Sequence, residues 1–286
     1  MAALFFWPRL WPFPGSMKIL GILNITSDSF SDGGKYLEPG AAIFHAQALA
    51  QSGADIIDIG AVSSHPDAQA VTPEVEIARL AAVVPELKAK GLSLSIDSFA
   101  IEVQRWALQH GVDYLNDIHG FPDLSLYPAL AQSQAKLIVM HMVQPRGVAV
   151  RTEVPSSEIF DRITSFFDSR IQALTKAGIA PGRLILDPGM GQFLGTDPEN
   201  SLIVLRRLPE LKARYGLPLL VSLSRKGFLR KLVNRPVTEA GAASLHGETL
   251  AAELFAQAQG ADYIRTHAPR PLRDGVKTLK TIGESR

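Results

Sequence analysis

Eight short apolar runs, each followed by a longer stretch, constrain this chain more than any other feature. The runs are Lys18–Ile25, Ala54–Ile59, Leu92–Ile96, Tyr114–Ile118, Lys136–His141, Leu184–Leu186, Leu219–Leu223 and Asp262–Thr266. Several are nearly continuous in Ile, Leu and Val, which predicts strands buried on both faces, as in a parallel sheet. Between them Ala41–Gln51, Pro73–Lys90, Glu158–Lys176 and Glu199–Tyr215 read as amphipathic helices. Pro73 suits a first helical turn after Thr72, and Gly53, Gly91, Gly111, Gly178 and Gly216 suit helix C-termini. Eight such alternations predict an α/β fold of the TIM (β/α)8 type, because an open doubly wound sheet usually has fewer strands. No low-complexity linker divides residues 17–286, which read as one barrel domain.

Residues 1–16, MAALFFWPRLWPFPGS, differ from everything after them. The apolar run Ala2–Trp7 is too short for a signal peptide, and Pro8, Pro12 and Pro14 would break its helix. A membrane-spanning helix would need about 20 apolar residues. The segment reads as a disordered extension, or as translation from a start upstream of Met17, in a cytoplasmic protein.

The polar residues are placed where the apolar runs stop. Asn24, Asp58, Asp97, Asn116 with Asp117, His141, Asp187, Ser224 with Lys226, and Arg265 with His267 all stand at predicted strand ends. In a barrel those ends form the active face. Any single Asp or Asn there reads most simply as a helix cap, but eight such endings together weaken that explanation. Asp97, Asn116 and Asp187 form an acceptor-rich group suited to a flat, donor-rich heterocycle. Arg225, Lys226, Arg265 and His267 form a cationic group suited to phosphate or pyrophosphate. Asn24 offers the neutral oxygen of a Mg²⁺ site in which the ion keeps most of its waters.

Composition narrows the chemistry. Twenty-nine Lys+Arg against 28 Asp+Glu leave a net charge of +1, so no overall field recruits nucleic acid or an anionic membrane. The absence of cysteine removes thiol nucleophiles, Cys-ligated zinc and disulfides. No phosphate-binding P-loop pattern, zinc-protease HExxH or dinucleotide fingerprint occurs. A phosphorylated nitrogen heterocycle is the ligand these residues describe, without fixing the reaction.

The two longest signatures, GILNITSDSFSDGG at 21–34 and GADIIDIGAVSSHP at 53–66, are followed by SIDS at 95–98, LNDI at 115–118, MHM at 140–142, LDPGMG at 186–191, SRK at 224–226 and RTH at 265–267. In these blocks and their order the chain resembles the dihydropteroate synthases. Those enzymes join a 6-hydroxymethyl-7,8-dihydropterin pyrophosphate to 4-aminobenzoate in folate biosynthesis and release pyrophosphate. The resemblance implies that Asp97, Asn116, Asp187 and Lys226 hold the pterin, with Asp97, Asp187 and Lys226 closest to the chemistry. It gives Asn24 to Mg²⁺ and pyrophosphate, and Arg265 and His267 to pyrophosphate. Phe30, Ser63, Ser64, His65, Pro66, Gln192, Phe193 and Ser224 would surround 4-aminobenzoate. It further implies a homodimer, small-molecule substrates only, and neither nucleic acid nor membrane as partner.

The departures from the usual pattern point one step further. Usual members read Thr-Pro-Asp, Ser-Thr-Arg-Pro and Arg-Val-His-Asp where this chain has Thr26-Ser27-Asp28, Ser63-Ser64-His65-Pro66 and Arg265-Thr266-His267-Ala268. These changes are similar to those of the acquired sulfonamide-insensitive (Sul-type) synthases, although Gln192 stands where such chains carry an aromatic residue. Insensitivity to sulfonamides is therefore expected. The alternatives are a drug-sensitive synthase and a pterin-binding methyltransferase barrel, which has little use for Arg265 and His267 as pyrophosphate ligands. Since residues 1–16 carry none of these roles, a chain starting at Met17 should keep the melting temperature and turnover of the full chain. Thermal melts and rate assays on the two forms check this.

Overall fold

The computed structural model describes residues 17–26, 38–62, 71–144, 147, 152–234 and 245–284. The extension 1–16, Phe30, and Ser63, Ser64, His65 and Pro66 lie outside the described residues. Eight parallel strands form one sheet: β1 Lys18–Asn24, β2 Ile56–Gly60, β3 Leu94–Asp97, β4 Tyr114–Asp117, β5 Lys136–Met140, β6 Leu184–Asp187, β7 Leu220–Ser222 and β8 Tyr263–Thr266. They run in the order β6-β5-β4-β3-β2-β1-β8-β7. The Leu186 amide donates to the Pro218 carbonyl at 2.9 Å, and a parallel bridge between Leu186 and Leu219 joins the two outer strands. The sheet closes into a TIM barrel, and every predicted strand is present within two residues of its expected bounds.

Among the described residues eleven α-helices surround it: α1 Pro39–Gln51, α2 Pro73–Ala81, α3 Val84–Ala89, α4 Ile101–Gln109, α5 Tyr127–Gln132, α6 Ile159–Lys176, α7 Pro198–Arg206, α8 Leu208–Tyr215, α9 Gly227–Leu232, α10 His246–Ala258 and α11 Pro269–Glu284. In α1 the buried positions Ala42, Ile43, Ala46 and Leu49 recur with helical period and face the sheet. Two of the expected helices are each divided. Pro73–Lys90 breaks between Ala81 and Val84, and Glu199–Tyr215 breaks at Arg207. Pro85 and Pro209 are the cause, since each lacks the amide that would continue the ladder and crowds the carbonyl four residues back. Gly53, Gly91, Gly111, Gly178 and Gly216 end their helices in the left-handed region, as expected. Among the described residues no helix is long and apolar enough to cross a membrane.

Side chains of a strand alternate between the two faces, and here the two faces bury two different cores. Ile19, Leu23, Ile57, Ile59, Leu94, Ile96, Leu137, Val139, Leu184, Leu186, Val221 and Ile264 pack outward under the helices. Leu20, Ile56, Tyr114, Ile138, Ile185, Leu220 and Tyr263 form a separate buried cluster inside the barrel. That inner cluster is the floor of the site.

The loop after β6 depends on a residue without a side chain. Gly189 has φ of +76°, and a Cβ there would lie 2.4 Å from the backbone oxygen of His141. Gly216 has φ of +62° but faces open space. Gly216→Ala should cost about 1–2 kcal/mol, the left-handed penalty alone. Gly189→Ala should cost at least about 2 kcal/mol more than this through displaced backbone, and should also remove turnover. Denaturant unfolding of both variants measures the difference.

Candidate active site

Two residues beyond the apolar floor on each strand, alternation turns the next tier of side chains into the barrel. That tier contains Asp58, Asn116, Met140, Asp187 and Arg265, joined by Asp97 from the end of β3. Asp58, Asn116 and Asp187 are almost fully buried. Arg265 crosses from β8: its Nε donates to Asp58 Oδ2, and one terminal nitrogen donates to Asp97 Oδ2 at 2.7 Å. Burial works against the Arg265 charge, but the two carboxylates outweigh it and hold the guanidinium protonated. Removing one partner from such a buried pair costs about 3–5 kcal/mol.

The expected separation of an acceptor group from a cationic group is therefore corrected. Arg265 sits inside the acceptor group because opposite charges in a dry interior must pair. His267 does stand among the expected cations Arg225, Lys226 and Arg265, but it is not itself a cation. Its Nδ1 lies 2.9 Å from Ser224 Oγ, and its backbone amide donates to the same oxygen at 3.2 Å. Burial first, then the charges of Arg225, Arg265 and Lys226, push its pKa well below the usual histidine range. His267 is a neutral hydrogen-bonding group, and Ser224 holds it. His141, at the end of β5, is three residues past the inward-facing Ile138 and so points outward. It is buried with Nδ1 3.1 Å from the Pro188 carbonyl, packs edge-on against Phe166, and is pushed down to about 4 by burial.

Burial displaces the remaining charges toward neutrality. It raises Asp97 to about 7 against the pull of Arg265, with Asp58, Glu76 and Asp117 adding to the rise. It raises Asp187 to about 6, although the Gly189 amide donates to Asp187 Oδ1 at 2.8 Å. It lowers Lys226 to about 8, and Arg265 lowers it further. The Lys226 ammonium lies 4.7 Å from the centre of the Phe193 ring, within cation–π range. Phe193 packs with Ile118, Met140 and Met142 in a small buried apolar cluster. Gln192 beside it is exposed.

Two acceptors in this tier, Asn116 Oδ1 and Asp58 Oδ1, and the Ser95 hydroxyl two residues before Asp97 on β3 stand without partners among the described residues. An unmet buried polar atom costs about 1–3 kcal/mol, which a ligand donor recovers. Asn24 ends β1 beside Gly60, where a Cβ would lie 3.5 Å from Asn24 Oδ1 and 3.9 Å from Asp97 Oδ2. The bare glycine leaves a cradle between two oxygens. Asp117, by contrast, belongs to the loop after β4. It accepts from the amides of His119 and Phe121 and from Gln104 Nε2, at 2.8–3.0 Å, and fixes a turn in which Phe121 has φ of 60°.

The pterin-binding enzyme family model matches residues 20–267. The chain belongs to the pterin-binding enzyme family. The type-2 dihydropteroate synthase of Escherichia coli is 57% identical over 270 residues, covering 94% of this chain and 97% of that protein. The Yersinia pestis dihydropteroate synthase, solved with a sulfonamide drug, superposes with a TM-score of 0.85 at 30% identity, covering 95% of both chains. The Xanthomonas albilineans dihydropteroate synthase with 4-aminobenzoic acid gives 0.83 at 32% identity, over 95% of this chain and 94% of that one. Similar to these synthases over nearly its whole length, the chain is a transferase of folate biosynthesis.

Sequence reasoning brought Asn24, Asp97, Asn116, Asp187, Lys226, Arg265, His267, Ser224 and Phe193 to one end of the barrel. It missed Asp58 as the partner of Arg265, and it missed the apolar wall of Ile118 and Met140. Met140 was detectable, since it lies two residues past Ile138 and shares its face.

A raised carboxyl pKa means that the charged form is disfavoured in the fold. The cost of Asp187 accrues as pH rises from 3.8, its unfolded value, to about 6, and is fully present above that. Asp187→Asn keeps an acceptor for the Gly189 amide and removes the buried charge. At pH 8 it should be more stable than the parent by about 1–3 kcal/mol while losing pterin affinity. Unfolding curves at pH 8 and pH 4 check the sign, because the gain should vanish at the lower pH.

Proposed function

We propose that this chain condenses 6-hydroxymethyl-7,8-dihydropterin pyrophosphate with 4-aminobenzoate to give 7,8-dihydropteroate and pyrophosphate, and that it does so in the presence of sulfonamides. The observation that carries the first part is the buried acceptor pair Asp187 and Asn116 beside the Ile118–Met140–Phe193 wall. A flat ring lies against such a wall while its ring N–H and amino donors meet the two acceptors, and Asn116 Oδ1 gains the partner it lacks. Asp97 and Lys226 complete the ring's surroundings.

The reaction needs no protein nucleophile. The bond from the exocyclic methylene carbon to the pyrophosphate oxygen breaks, and that oxygen leaves with the electron pair. The aniline nitrogen forms the new C–N bond and then loses its proton to solvent. Asp97 and Asp187 favour positive charge developing on the pterin side. Lys226 and Arg265 face the departing anion with charge, and His267 does so as a neutral hydrogen-bonding group. The Asn24–Gly60–Asp97 cradle fits a Mg²⁺ ion carried by the pyrophosphate and still holding most of its waters. No cluster of three His, Cys, Asp or Glu suited to a metal occurs among the described residues. When bound, the ion neutralises charge on the leaving group.

We assign residues 17–286 to one catalytic barrel, which the family resemblance pairs as a homodimer. Phe30, Ser63, Ser64, His65 and Pro66 are proposed, with Gln192, Phe193 and Ser224, to surround 4-aminobenzoate. A sulfonamide copies the aniline ring but projects a further group from its sulfonyl, beyond the space a carboxylate occupies. His65 in place of the usual arginine, together with Phe193, would exclude that group while admitting the substrate. Kinship to a type-2 synthase at 57% identity supports this reading.

Release of pyrophosphate with both substrates present tests the first part. Methyl transfer without pyrophosphate release would instead favour the methyltransferase reading. Asp187→Ala should weaken pterin binding by about 1.5–3 kcal/mol, the range for a hydrogen bond to a charged group. For the second part, the inhibition constant of a sulfonamide should exceed the Michaelis constant for 4-aminobenzoate by about 1000-fold, roughly 4 kcal/mol of discrimination. Comparable values would leave a drug-sensitive synthase.

A further inference from the structure

The reaction proposed above gives no role to Gln104, which lies near the start of α4 and is 2% exposed. The buried residues of α4 are Val103, Gln104 and Ala107, one amide beside two apolar side chains. An amide in that position is costly unless its N–H groups are bonded. Here both are bonded. Gln104 Nε2 donates to the Ser98 carbonyl at 2.8 Å and to Asp117 Oδ2 at 3.0 Å, and both bonds are buried. A carbonyl only accepts, so the nitrogen of the amide, not its oxygen, is the atom that faces Ser98.

The two acceptors belong to different strand ends. Ser98 follows Asp97 on β3, Asp117 follows Asn116 on β4, and Asp97 and Asn116 pair in register. The Ser98 amide donates to the Asn116 carbonyl at 3.0 Å. In a parallel ladder the next bond would bring the Ile118 amide to the Ser98 carbonyl. Gln104 bonds that carbonyl from α4, so a side chain takes over where the backbone pairing of β3 and β4 stops. Its second bond enters the turn that holds Ile118, because Asp117 also accepts from the amides of His119 and Phe121. The far end of that turn is held separately, by the Tyr127 hydroxyl and an Arg170 terminal nitrogen on the Phe121 carbonyl at 3.1 and 3.2 Å. Gln104 links the turn to the loop after β3.

Alternation turns Asp97 and Asn116 into the barrel and Ser98 and Asp117 outward under α4. We propose that Gln104 is a positioning residue for the pterin end of the site: one nitrogen, shared between the Ser98 carbonyl and the Asp117 carboxylate, sets the spacing of Asp97 and Asn116 and the place of Ile118 beside them. It touches no reacting atom and acts through the backbone of its two partners. The proposal rests on the synthase reading, since that reading gives Asp97, Asn116 and Ile118 their ligand.

The test uses the full chain with Gln104→Met, which keeps the length and removes the donor, and Gln104→Glu, which keeps the shape and sets acceptors against acceptors. Val103→Ala, on the same buried face, is the control for lost packing. Binding of 6-hydroxymethylpterin is measured by calorimetry, alongside melting temperature, kcat and both KM values. Gln104→Met should weaken pterin binding and raise KM for the pterin substrate by about tenfold, with KM for 4-aminobenzoate within about twofold. Gln104→Glu should lose at least as much. Val103→Ala should lower the melting temperature and leave pterin binding within about twofold of the parent. Unchanged pterin binding in Gln104→Met would overturn the proposal, as would an equal loss in Val103→Ala or equal losses for both substrates. A milder loss in Gln104→Glu than in Gln104→Met would also overturn it, because shape rather than donation would then be what matters. Should Gln104→Glu fail to fold, Gln104→Met decides against Val103→Ala. If the parent binds pterin but forms no dihydropteroate, the synthase reading falls and the pterin arm still tests Gln104; a parent that binds no pterin overturns both.

Discussion

Everything in this molecule depends on closing eight short strands into a barrel whose inside and outside are set by alternation. Strands of three to seven residues have room for only two to four inward side chains each. The lower inward tier is apolar and makes a floor of Leu20, Ile56, Tyr114, Ile138, Ile185, Leu220 and Tyr263. The tier above it must then accept a dry environment, because the floor and the outer core exclude water from below and from the sides. Polar groups placed there obey the rule for buried charge, and the pairing of Arg265 with Asp58 and Asp97 follows from it. The electrostatics of the site are a consequence of the barrel's closure.

The same burial acts on acids and bases in opposite directions. It lifts Asp97 and Asp187 toward neutral pH and draws Lys226 down toward it. These three groups can exchange partners at little electrostatic cost, because each lies close to its point of titration. A ring that donates hydrogen bonds strengthens the charged carboxylates, and an anionic leaving group strengthens the charged lysine. Each half of a bipartite substrate restores what burial weakens in the opposite half of the site. The orphaned Asn116 Oδ1 marks where this restoration begins.

The strands and the polar residues at their ends were legible because apolar runs and their termini are local properties of sequence. The helix breaks at Pro85 and Pro209 were legible in principle, since the residues are in plain view and only the length of the surrounding pattern concealed them. His141 was misplaced for want of counting parity from Ile138. The pairing inside the site was another matter. Arg265 meets Asp58 across 207 residues of chain and Asp97 across 168, so no window of sequence contains both partners. The resemblance implied which residues meet a ligand, yet it did not show that Arg265 is already held by two carboxylates or that His267 is pushed toward its neutral form.

Alternation also gives neighbouring residues of one strand different tasks. In the block Arg265-Thr266-His267 the first and third residues turn toward the site, and the middle one, fully buried, turns to the outer face of the strand. Residues 265 and 267 are the ones proposed to meet the ligand, and residue 266 serves the packing of the barrel. A change on the outer face moves the backbone that carries its neighbours without altering the groups that meet the ligand. The barrel therefore has two independent means of adjusting the same site, loops that shape access at its mouth and outer contacts that set the angle of its strand ends. The second acts on Arg265 and His267 together, because the same short stretch of backbone at the end of β8 carries both.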